Sequence, residues 1–305
     1  MTTQILAAFT KILLMIAFGF VLTKMGLISE EMKKYLSSFL MKAVLPMNIL
    51  SSAGQAFSAE NGKGMLEVLL ISAIYYLVTL FVFGWLAKKK LSKDDASLFI
   101  NLSVFANVGF IGFPLLGEML GDVGTLYTVA YNMTYQIFFF TYGLYLLKNE
   151  EKFSIKGIFK NTILYFSLGS IILYFSQIRF PDTVQSAISS VGSMMIPISM
   201  IIIGYEIGVM QFSRLYKDKM AYMVSFLRLI AAPTVMLFAM KFLGIQHDVA
   251  IAATILTALP SGSLTVIAAE ENGLETSSAA CAIAQSTILM ILTLPILTMA
   301  AEVIL

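Results

Sequence analysis

The sequence predicts an all-α membrane protein of ten transmembrane helices, arranged as two inverted five-helix repeats in which broken helices 4 and 9 cross. Three observations predict this fold: a high apolar content, an alternation of charge between loops, and interruptions that recur in both halves. Of the 305 residues, 58% are hydrophobic and 12% are charged, and the mean hydropathy is +0.86. A soluble domain carries about 25% charged residues.

Ten apolar segments occupy nearly the whole chain. A spanning helix needs roughly 20 mostly apolar residues, and the segments that meet this length, numbered in chain order, are 4–24, 33–54, 65–87, 97–120, 124–147, 156–178, 184–209, 220–243, 249–270 and 276–300. The first has no small-residue cleavage site after a short apolar core, so we interpret it as a retained helix.

Basic residues concentrate in alternate loops. The residues of this set are Lys24, Lys33, Lys34, Lys88, Lys89, Lys90, Lys93, Lys148, Lys152, Lys156, Lys160, Arg214, Lys217 and Lys219. The other loops contain little beyond Lys63, Arg179 and Lys241. The positive-inside rule assigns the first set to the cytoplasm. We therefore expect a plasma or inner cell membrane protein with both termini outside.

The two halves share features in the same order. We pair residues 1–150 with residues 151–305 as repeats, because proline, acidic and glutamine positions recur about half a chain apart: Pro46 with Pro197, Pro114 with Pro260, "GEMLGD" with "AEENG", and Gln136 with Gln285. With five helices per half, the second half enters the membrane from the opposite side. Such inverted-topology repeats are typical of secondary transporters.

Segments 4 and 9 carry helix breakers in their middle. "ANVGFIGFP" (residues 106–114) contains Asn107 and Pro114, and "LPSGS" (residues 259–263) contains Pro260 and Ser263. A broken helix leaves backbone groups unpaired at a cost of several kcal/mol each in hydrocarbon, unless protein or a water-filled cavity satisfies them. We expect the two breaks to meet in the interior, where half-helix N-termini favour an anion.

These stretches resemble the auxin efflux carrier family, which includes plant auxin carriers and bacterial permeases assigned to malate or malonate. "ANVGFIGFPLL", "ALPSGSLTVIAAEENG", "ILTLPIL" and "KAVLPMNIL" carry the resemblance across both halves. The long cytoplasmic loop of many plant members is absent, so the bacterial branch is the closer comparison. The resemblance implies a scaffold of helices 1, 2, 6 and 7, a transport unit of helices 3–5 and 8–10, an elevator-like movement, and a homodimer through the scaffold. It also implies the fold group of bile acid carriers and sodium–proton antiporters.

The resemblance also implies a substrate site at the crossing. Asn107 is the asparagine that meets a substrate carboxylate, and its two amide donors suit that role. Pro114 and Pro260 are the crossover prolines, and the remaining residues of the site are Val108, Gly109, Ser261, Gly262 and Ser263. The alternative is structural: Asn107 caps a half-helix and the serines bond to backbone carbonyls.

Several ionisable residues lie within apolar segments. Lys42 is about 12 residues into segment 2, roughly 18 Å deep, where a charge costs at least about 2.5 kcal/mol. It pairs with a substrate carboxylate, or it faces a wet vestibule or is held by carbonyls. For Arg228 in segment 8 and Glu206 in segment 7 we expect an interhelical ion pair.

Three amides follow the predicted breaks along the chain, namely Asn132, Gln136 and Gln285. Two interpretations are open for them. They form interhelical hydrogen bonds, worth about 0.6 kcal/mol on average in membrane proteins, or they contribute to the substrate site.

The chain lacks motifs for enzymatic or ATP-driven chemistry. It has one cysteine, Cys281, one histidine, His247, and no Gly-Lys-Ser/Thr phosphate loop, and "PSGSL" is not a nucleophile elbow. We expect no enzyme activity, no cofactor and no metal site. The prediction is a secondary transporter of small organic anions, mono- or dicarboxylates, whose partners are that anion, membrane lipid and a second copy, with no nucleic acid. The alternatives are a sodium-coupled symporter of the bile-acid type and a non-transporting membrane sensor.

Overall fold

The computed structural model describes residues 2–54, 56–88, 91–147, 159, 161–210 and 218–305. Throughout this part the chain is helical, and its extended pairing is limited to an isolated antiparallel bridge between Ala106 and Ser261. Many of the basic loop positions used to predict orientation lie outside the described residues: Lys89, Lys90, Lys148, Lys152, Lys156, Lys160, Arg214 and Lys217.

The helices divide into two compact units. The first unit contains residues Met1–Glu67, Val108–Met133 and Thr162–Met210. Its helices are Thr2–Lys24, Glu30–Phe39, Leu45–Ala53, most of Phe113–Phe138, Thr162–Ser176, Asp182–Gly192 and Met195–Val209, with π-helical turns at Leu40–Val44 and Val108–Gly112.

Two glycines let helices of segments 1 and 7 approach closely in the first unit. A Cβ on Gly19 would lie 2.5 Å from the carbonyl oxygen of Ile201, and a Cβ on Gly204 would lie 2.3 Å from that of Ile16. Both distances are far below van der Waals contact. Small residues at such crossings are how membrane helices gain packing contact without a hydrophobic driving force.

The second unit contains residues Val68–Asn107, Thr134–Asn161 and Gln211–Leu305. Its helices are most of Ala59–Lys88, Lys93–Val104, Leu144–Leu147, Lys219–Phe226, Ala232–Leu243, His247–Thr257, Leu264–Glu271 and Ser277–Ile304, with π-helical turns at Phe139–Gly143 and Leu227–Ala231. The Lys93–Val104 helix is the first half of segment 4. The His247–Thr257 and Leu264–Glu271 helices are the two halves of segment 9.

Both predicted interruptions occur, but the first is shorter than expected. We predicted a break from Asn107 through Pro114, whereas the chain is non-helical only at Phe105–Asn107 and resumes in the π-helical turn at Val108–Gly112. Pro114 is the second residue of the following α-helix. A proline is tolerated in the first turn of a helix because its missing N–H would have no partner there. The notion that Pro114 itself breaks segment 4 is therefore wrong.

Five described helical stretches are long and apolar enough to cross a membrane: Glu30–Ala53, Ala59–Ala87, Asp182–Val209, Lys219–Leu243 and Ser277–Ile304. Two shorter apolar helices are Thr162–Ser176 and His247–Thr257. Such helices satisfy their own backbone groups within hydrocarbon. The chain is a multi-pass helical membrane protein.

Candidate functional site

The breaks in segments 4 and 9 pair with each other within the second unit. The Asn107 amide donates to the carbonyl of Pro260 at 2.9 Å, and the Gly262 amide donates to the carbonyl of Phe105 at 3.0 Å. These two bonds flank the Ala106–Ser261 bridge. Each interruption therefore satisfies backbone groups that the other would leave unpaired in a low-dielectric interior.

Gly262 permits this close approach of two backbones. A Cβ built at this position would lie 3.0 Å from the carbonyl oxygen and 3.3 Å from the carbonyl carbon of Ala106. A larger residue would push the two extended stretches apart. The close approach of the two backbones thus favours glycine at this position of "PSGS".

Aromatic rings hold the first break in place. Phe105 is fully buried and has an extended backbone (φ −95°, ψ 111°). Its ring stacks on Tyr76 with centroids 5.7 Å apart and meets Tyr135 and Phe139 edge-on at 5.7 and 5.2 Å. Edge-to-face aromatic pairs contribute about 0.5–1.5 kcal/mol beyond burial. The cluster therefore stabilises the extended backbone of Phe105 at the point where the helix is interrupted.

Arg228 links the carbonyl ends of both half-helices. Its Nε and Nη2 donate to the Leu259 carbonyl at 3.0 and 2.9 Å, and Nη2 also donates to Thr257 at 3.2 Å. On the other side, Nη1 donates to Val104 at 2.7 Å and to Ser103 at 3.3 Å. Thr257 and Val104 are the last residues of the two half-helices that precede the breaks.

The arrangement balances the charge of the guanidinium without a carboxylate. Arg228 is fully buried, and none of the ion pairs among the described residues includes it. Each helix C-terminus carries a partial charge of about −0.5. Two such ends together offset the single positive charge, and the Tyr75 hydroxyl, 3.3 Å from Nη1, completes the contacts.

The ion pair that we expected between Arg228 and Glu206 is wrong. The Glu206 carboxylate pairs with Lys33 in the first unit, at 3.1 Å. The Arg228 guanidinium donates to backbone carbonyls instead. Carbonyl groups at the end of an interrupted helix have no intrahelical partner, so they accept the hydrogen bonds that a carboxylate would accept in a continuous bundle.

Two hydroxyls near the breaks have no hydrogen-bond partner. Thr265 lies in the first turn of the Leu264–Glu271 half-helix and is 1% exposed, and Ser103 lies at the end of the Lys93–Val104 half-helix and is fully buried. Both side-chain oxygens are shielded and unpaired. Ser263, at the N-terminus of the same half-helix as Thr265, makes no side-chain capping bond. Unsatisfied polar groups at a helix N-terminus are what a bound polar ligand or water would satisfy.

The predicted residues of the second unit fall into two groups. Asn107, Pro260, Ser261, Gly262 and Ser263 lie at the crossing, and Asn107 is only 8% exposed. The Ser261 hydroxyl donates to the Leu102 carbonyl at 2.8 Å. This bond agrees with the alternative in which the serines bond to backbone carbonyls.

The glutamines lie on helices beside the breaks. Gln285 accepts a hydrogen bond from Ser225 at 3.0 Å, and its neighbour Ser286 accepts the Ser261 amide at 3.3 Å. Gln136 accepts a hydrogen bond from Asn161. Both glutamines thus accept hydrogen bonds from side chains of the second unit, Ser225 on a helix and Asn161 just before one.

The other predicted site residues belong to the first unit: Lys42, Val108, Gly109, Pro114 and Asn132. Lys42 lies in the Leu40–Val44 π-helical turn and its side chain is exposed. Asn132 is 2% exposed and its amide nitrogen has no partner.

Sequence reasoning missed the roles of Arg228, Thr265 and Ser103. The available signal for Arg228 was a lone cation amid the apolar run "SFLRLIAAP", which marks a functional position in a membrane segment. Hydropathy alone does not say whether such a cation faces a carboxylate or helix carbonyls. No cluster of three or more histidine, cysteine or acidic residues suited to a metal ion occurs in the described part of the chain.

Comparison with known proteins gives matches to membrane transporters. The model of the membrane transport protein family matches residues 4–166 and 150–298. An uncharacterized transporter of Methanothermobacter thermautotrophicus is 24% identical over 296 residues, which cover 93% of this chain and 94% of the relative. An uncharacterized transporter of Methanocaldococcus jannaschii is 23% identical over 208 residues, or 64% and 67% of the two chains.

These matches confirm the resemblance predicted from the crossover motifs, and they are to transporters rather than enzymes. The family model spans both halves of the sequence. The chain therefore belongs to the membrane transport protein family, the family of the auxin efflux carriers.

Proposed function

We propose that the protein is a secondary transporter of small organic anions, with mono- or dicarboxylates as substrates, and that the anion binds where segments 4 and 9 are interrupted. One observation carries this proposal: Arg228 offsets the negative carbonyl ends of both half-helices. The Leu264–Glu271 half-helix follows the break in segment 9 and carries a partial positive charge of about +0.5 at its N-terminus. The negative C-terminal ends at Val104 and Thr257 do not cancel this charge, because Arg228 already offsets them. The net field at the break favours a negative ligand.

Donors near the break suit a carboxylate. Asn107 carries amide N–H groups, and the unpaired Thr265 hydroxyl lies in the first turn of the Leu264–Glu271 half-helix. Hydrogen bonds to an ionised acceptor are roughly twice as strong as neutral ones. The Thr265 hydroxyl is without a partner among the described residues, so a carboxylate would gain a hydrogen bond there.

The transport mechanism that fits this site is alternating access by an elevator-like movement. In it, helices 1, 2, 6 and 7 form a scaffold and helices 3–5 and 8–10 form the moving unit, within ten spans built as two inverted repeats of residues 1–150 and 151–305. Both termini lie outside the cell membrane, and two copies associate through the scaffold. The paired helix breaks and the family's match to both halves support this arrangement.

Uptake into proteoliposomes tests the proposal. The wild type, Asn107→Ala and the control Asn61→Ala, which makes the same change away from the breaks, are reconstituted and given labelled malonate, malate and an indole acid. We expect saturable uptake of at least one carboxylate by the wild type and Asn61→Ala, and its loss in folded Asn107→Ala.

Two results would contradict the proposal in different ways. Uptake that is unchanged in Asn107→Ala would leave a carrier but reject this binding site. No uptake by any protein, together with thermal stabilisation of the wild type by a carboxylate, would favour a membrane sensor that binds without transport.

A further inference from the structure

The second unit carries an apolar groove of about 450 Å³ that is lined by helices of segments 3 and 8. Its lining residues fall within residues 71–83 and 227–243. Both stretches belong to helices long and apolar enough to cross a membrane. The groove therefore faces hydrocarbon rather than water.

Small side chains leave the space of the groove, and larger ones connect it to the membrane-facing surface. Ala231, Ala232 and Ala239 are among the lining residues, and so are Ile74 and Val235, whose side chains are exposed. Exposed apolar side chains on a spanning helix contact lipid. The groove is thus continuous with the surface that the second unit presents to lipid.

The chemistry of the lining does not suit a polar ligand. Tyr75 and Thr79 carry the hydroxyl groups of the lining, and every other lining side chain is a hydrocarbon or a thioether. The Thr79 hydroxyl donates to the Tyr75 carbonyl at 2.6 Å, and the Tyr75 hydroxyl accepts a hydrogen bond from Arg228 at 3.3 Å. Both hydroxyls are therefore already engaged, and what remains is an apolar surface.

The dimensions suit one hydrocarbon chain. Residues 227–243 rise by about 24 Å along a helix, which exceeds one leaflet of a hydrocarbon core about 30 Å thick. A partner helix about 10 Å across would occupy roughly 1,900 Å³ over this length, about four times the volume of the groove. An extended acyl chain is much narrower than a helix, so it can lie within the groove.

The groove also borders the arginine of the helix breaks. Tyr75, whose hydroxyl contacts Arg228 Nη1, is one of its lining residues. Leu227 and Ala231, the first and last residues of the π-helical turn that carries Arg228, line it as well. An occupant of the groove would therefore pack against this turn and against the tyrosine that contacts its guanidinium.

We propose that the groove binds one acyl chain of a bilayer phospholipid, and that this chain holds Tyr75 against Arg228. Within hydrocarbon the gain is close packing, because dispersion contacts are lost wherever a recess stays unfilled. The effect on Arg228 rests on the proposed function, since Arg228 influences the anion through the half-helix ends. Binding of the acyl chain does not, so the experiment measures the two separately.

Tryptophan fluorescence tests the binding of the acyl chain. Trp85 is the one tryptophan of the sequence, so a Trp85→Phe background accepts a single new reporter. Val235→Trp places the reporter at the groove, and Phe238→Trp places it at an exposed position of the same helix outside the lining. The purified proteins, in detergent, are titrated with a phosphatidylcholine whose brominated acyl chains quench tryptophan on contact. Ala239→Phe, added to Val235→Trp, fills the groove.

We expect quenching of Val235→Trp to saturate near stoichiometric lipid, and quenching of Phe238→Trp to rise only in proportion to the lipid content of the micelle. Ala239→Phe should remove the saturable part. Equal quenching curves for the two reporters would mean that the groove is covered by bulk lipid only, and would overturn the proposal. A saturable part that survives Ala239→Phe would overturn it as well.

Melting temperatures measured with malonate test the effect on Arg228. Phosphatidylcholine should enlarge the malonate-induced rise in the melting temperature of the wild type and of the control Tyr35→Phe, an exposed tyrosine. It should not do so in Tyr75→Phe, which keeps the ring and loses the hydroxyl. An equal lipid effect in the two tyrosine variants would reject the role of Tyr75 and keep the lipid site. Saturable quenching without any malonate response would contradict the proposed anion site and confirm the lipid site.

Discussion

The helix breaks of the second unit and a polar cavity of the first unit differ in how their polar groups are satisfied. At the breaks a buried guanidinium donates to the carbonyl oxygens of Leu259 and Val104. In the cavity, which is lined by Asn48, Ser51, Asp122, Thr125, Gln185 and Ser189, side-chain amides and hydroxyls bond to one another and to nearby carbonyls.

The difference shows two ways of placing a charge among membrane-spanning helices. Arg228 is fully buried and is neutralised by helix carbonyls, whereas Asp122 is exposed. In a low-dielectric interior an unsatisfied group costs about 1–3 kcal/mol. We propose that this use of the carbonyls by Arg228 sets the preference for an anion at the breaks.

The largest expected effect comes from removing the guanidinium. Arg228→Met leaves the carbonyls of Leu259, Thr257 and Val104 buried without their donor, at about 1–3 kcal/mol each. We expect a severe loss of thermal stability in detergent, measured by the melting temperature of the folded, monodisperse fraction. Arg228→Lys keeps the positive charge but not the planar guanidinium, so its melting temperature should lie between those of the wild type and Arg228→Met.

Arg179→Met is the matched control, because Arg179 is exposed and bonds only locally to Gln177. It should unfold at the temperature of the wild type. If Arg228→Met were as stable as Arg179→Met, the contrast between the two regions would lose its basis.

A smaller effect is expected from crowding the contact between the two breaks. Gly262→Ala introduces a Cβ 3.0 Å from the Ala106 carbonyl oxygen, and overpacking of this kind costs about 1–3 kcal/mol. We expect a lower melting temperature together with weaker stabilisation by carboxylates. Gly84→Ala, where a Cβ meets nothing within 4 Å, should change neither quantity. An unaltered carboxylate response in Gly262→Ala would mean that the spacing of the breaks does not determine binding.

The smallest effects separate structural hydroxyls from ligand-binding ones. Ser261→Ala removes the bond to Leu102 and should lower stability by about 1 kcal/mol, with carboxylate affinity nearly unchanged. Thr265→Val removes a buried hydroxyl that has no partner, so it should leave stability unchanged or higher while weakening carboxylate binding. Isothermal titration and melting curves on both variants measure the two quantities. The opposite pattern would transfer the binding role from Thr265 to Ser261.

The sequence predicted the interruptions well and their chemistry only in part. Glycine, proline and asparagine within apolar segments 4 and 9 identify where helices cannot continue, and both breaks occur there. The first break ends before Pro114 because a π-helical turn restores helical geometry at Val108–Gly112. Local composition does not distinguish a proline that breaks a helix from one placed in its first turn.

Partner choice was the part that the sequence did not determine. Lys33, which lies near the start of segment 2, holds Glu206, so Arg228 has other partners. This outcome depends on which side of a helix faces its neighbours, and a charge pattern along the sequence does not say which of several cations an acidic side chain meets. The side chain of Lys42 is exposed, and its role stays a prediction.

The measurement that tests the central claim most directly compares a carboxylate with its neutral isostere at the breaks. Purified wild type is titrated with malonate and with malonamide, which has nearly the same size and shape but no charge, and binding heat and melting temperature are recorded. If the residual field at the breaks selects anions, malonate binds saturably, malonamide does not, and Thr265→Val weakens the malonate response. Equal binding of the two compounds would contradict the claim that Arg228 and the half-helix ends create an anion site.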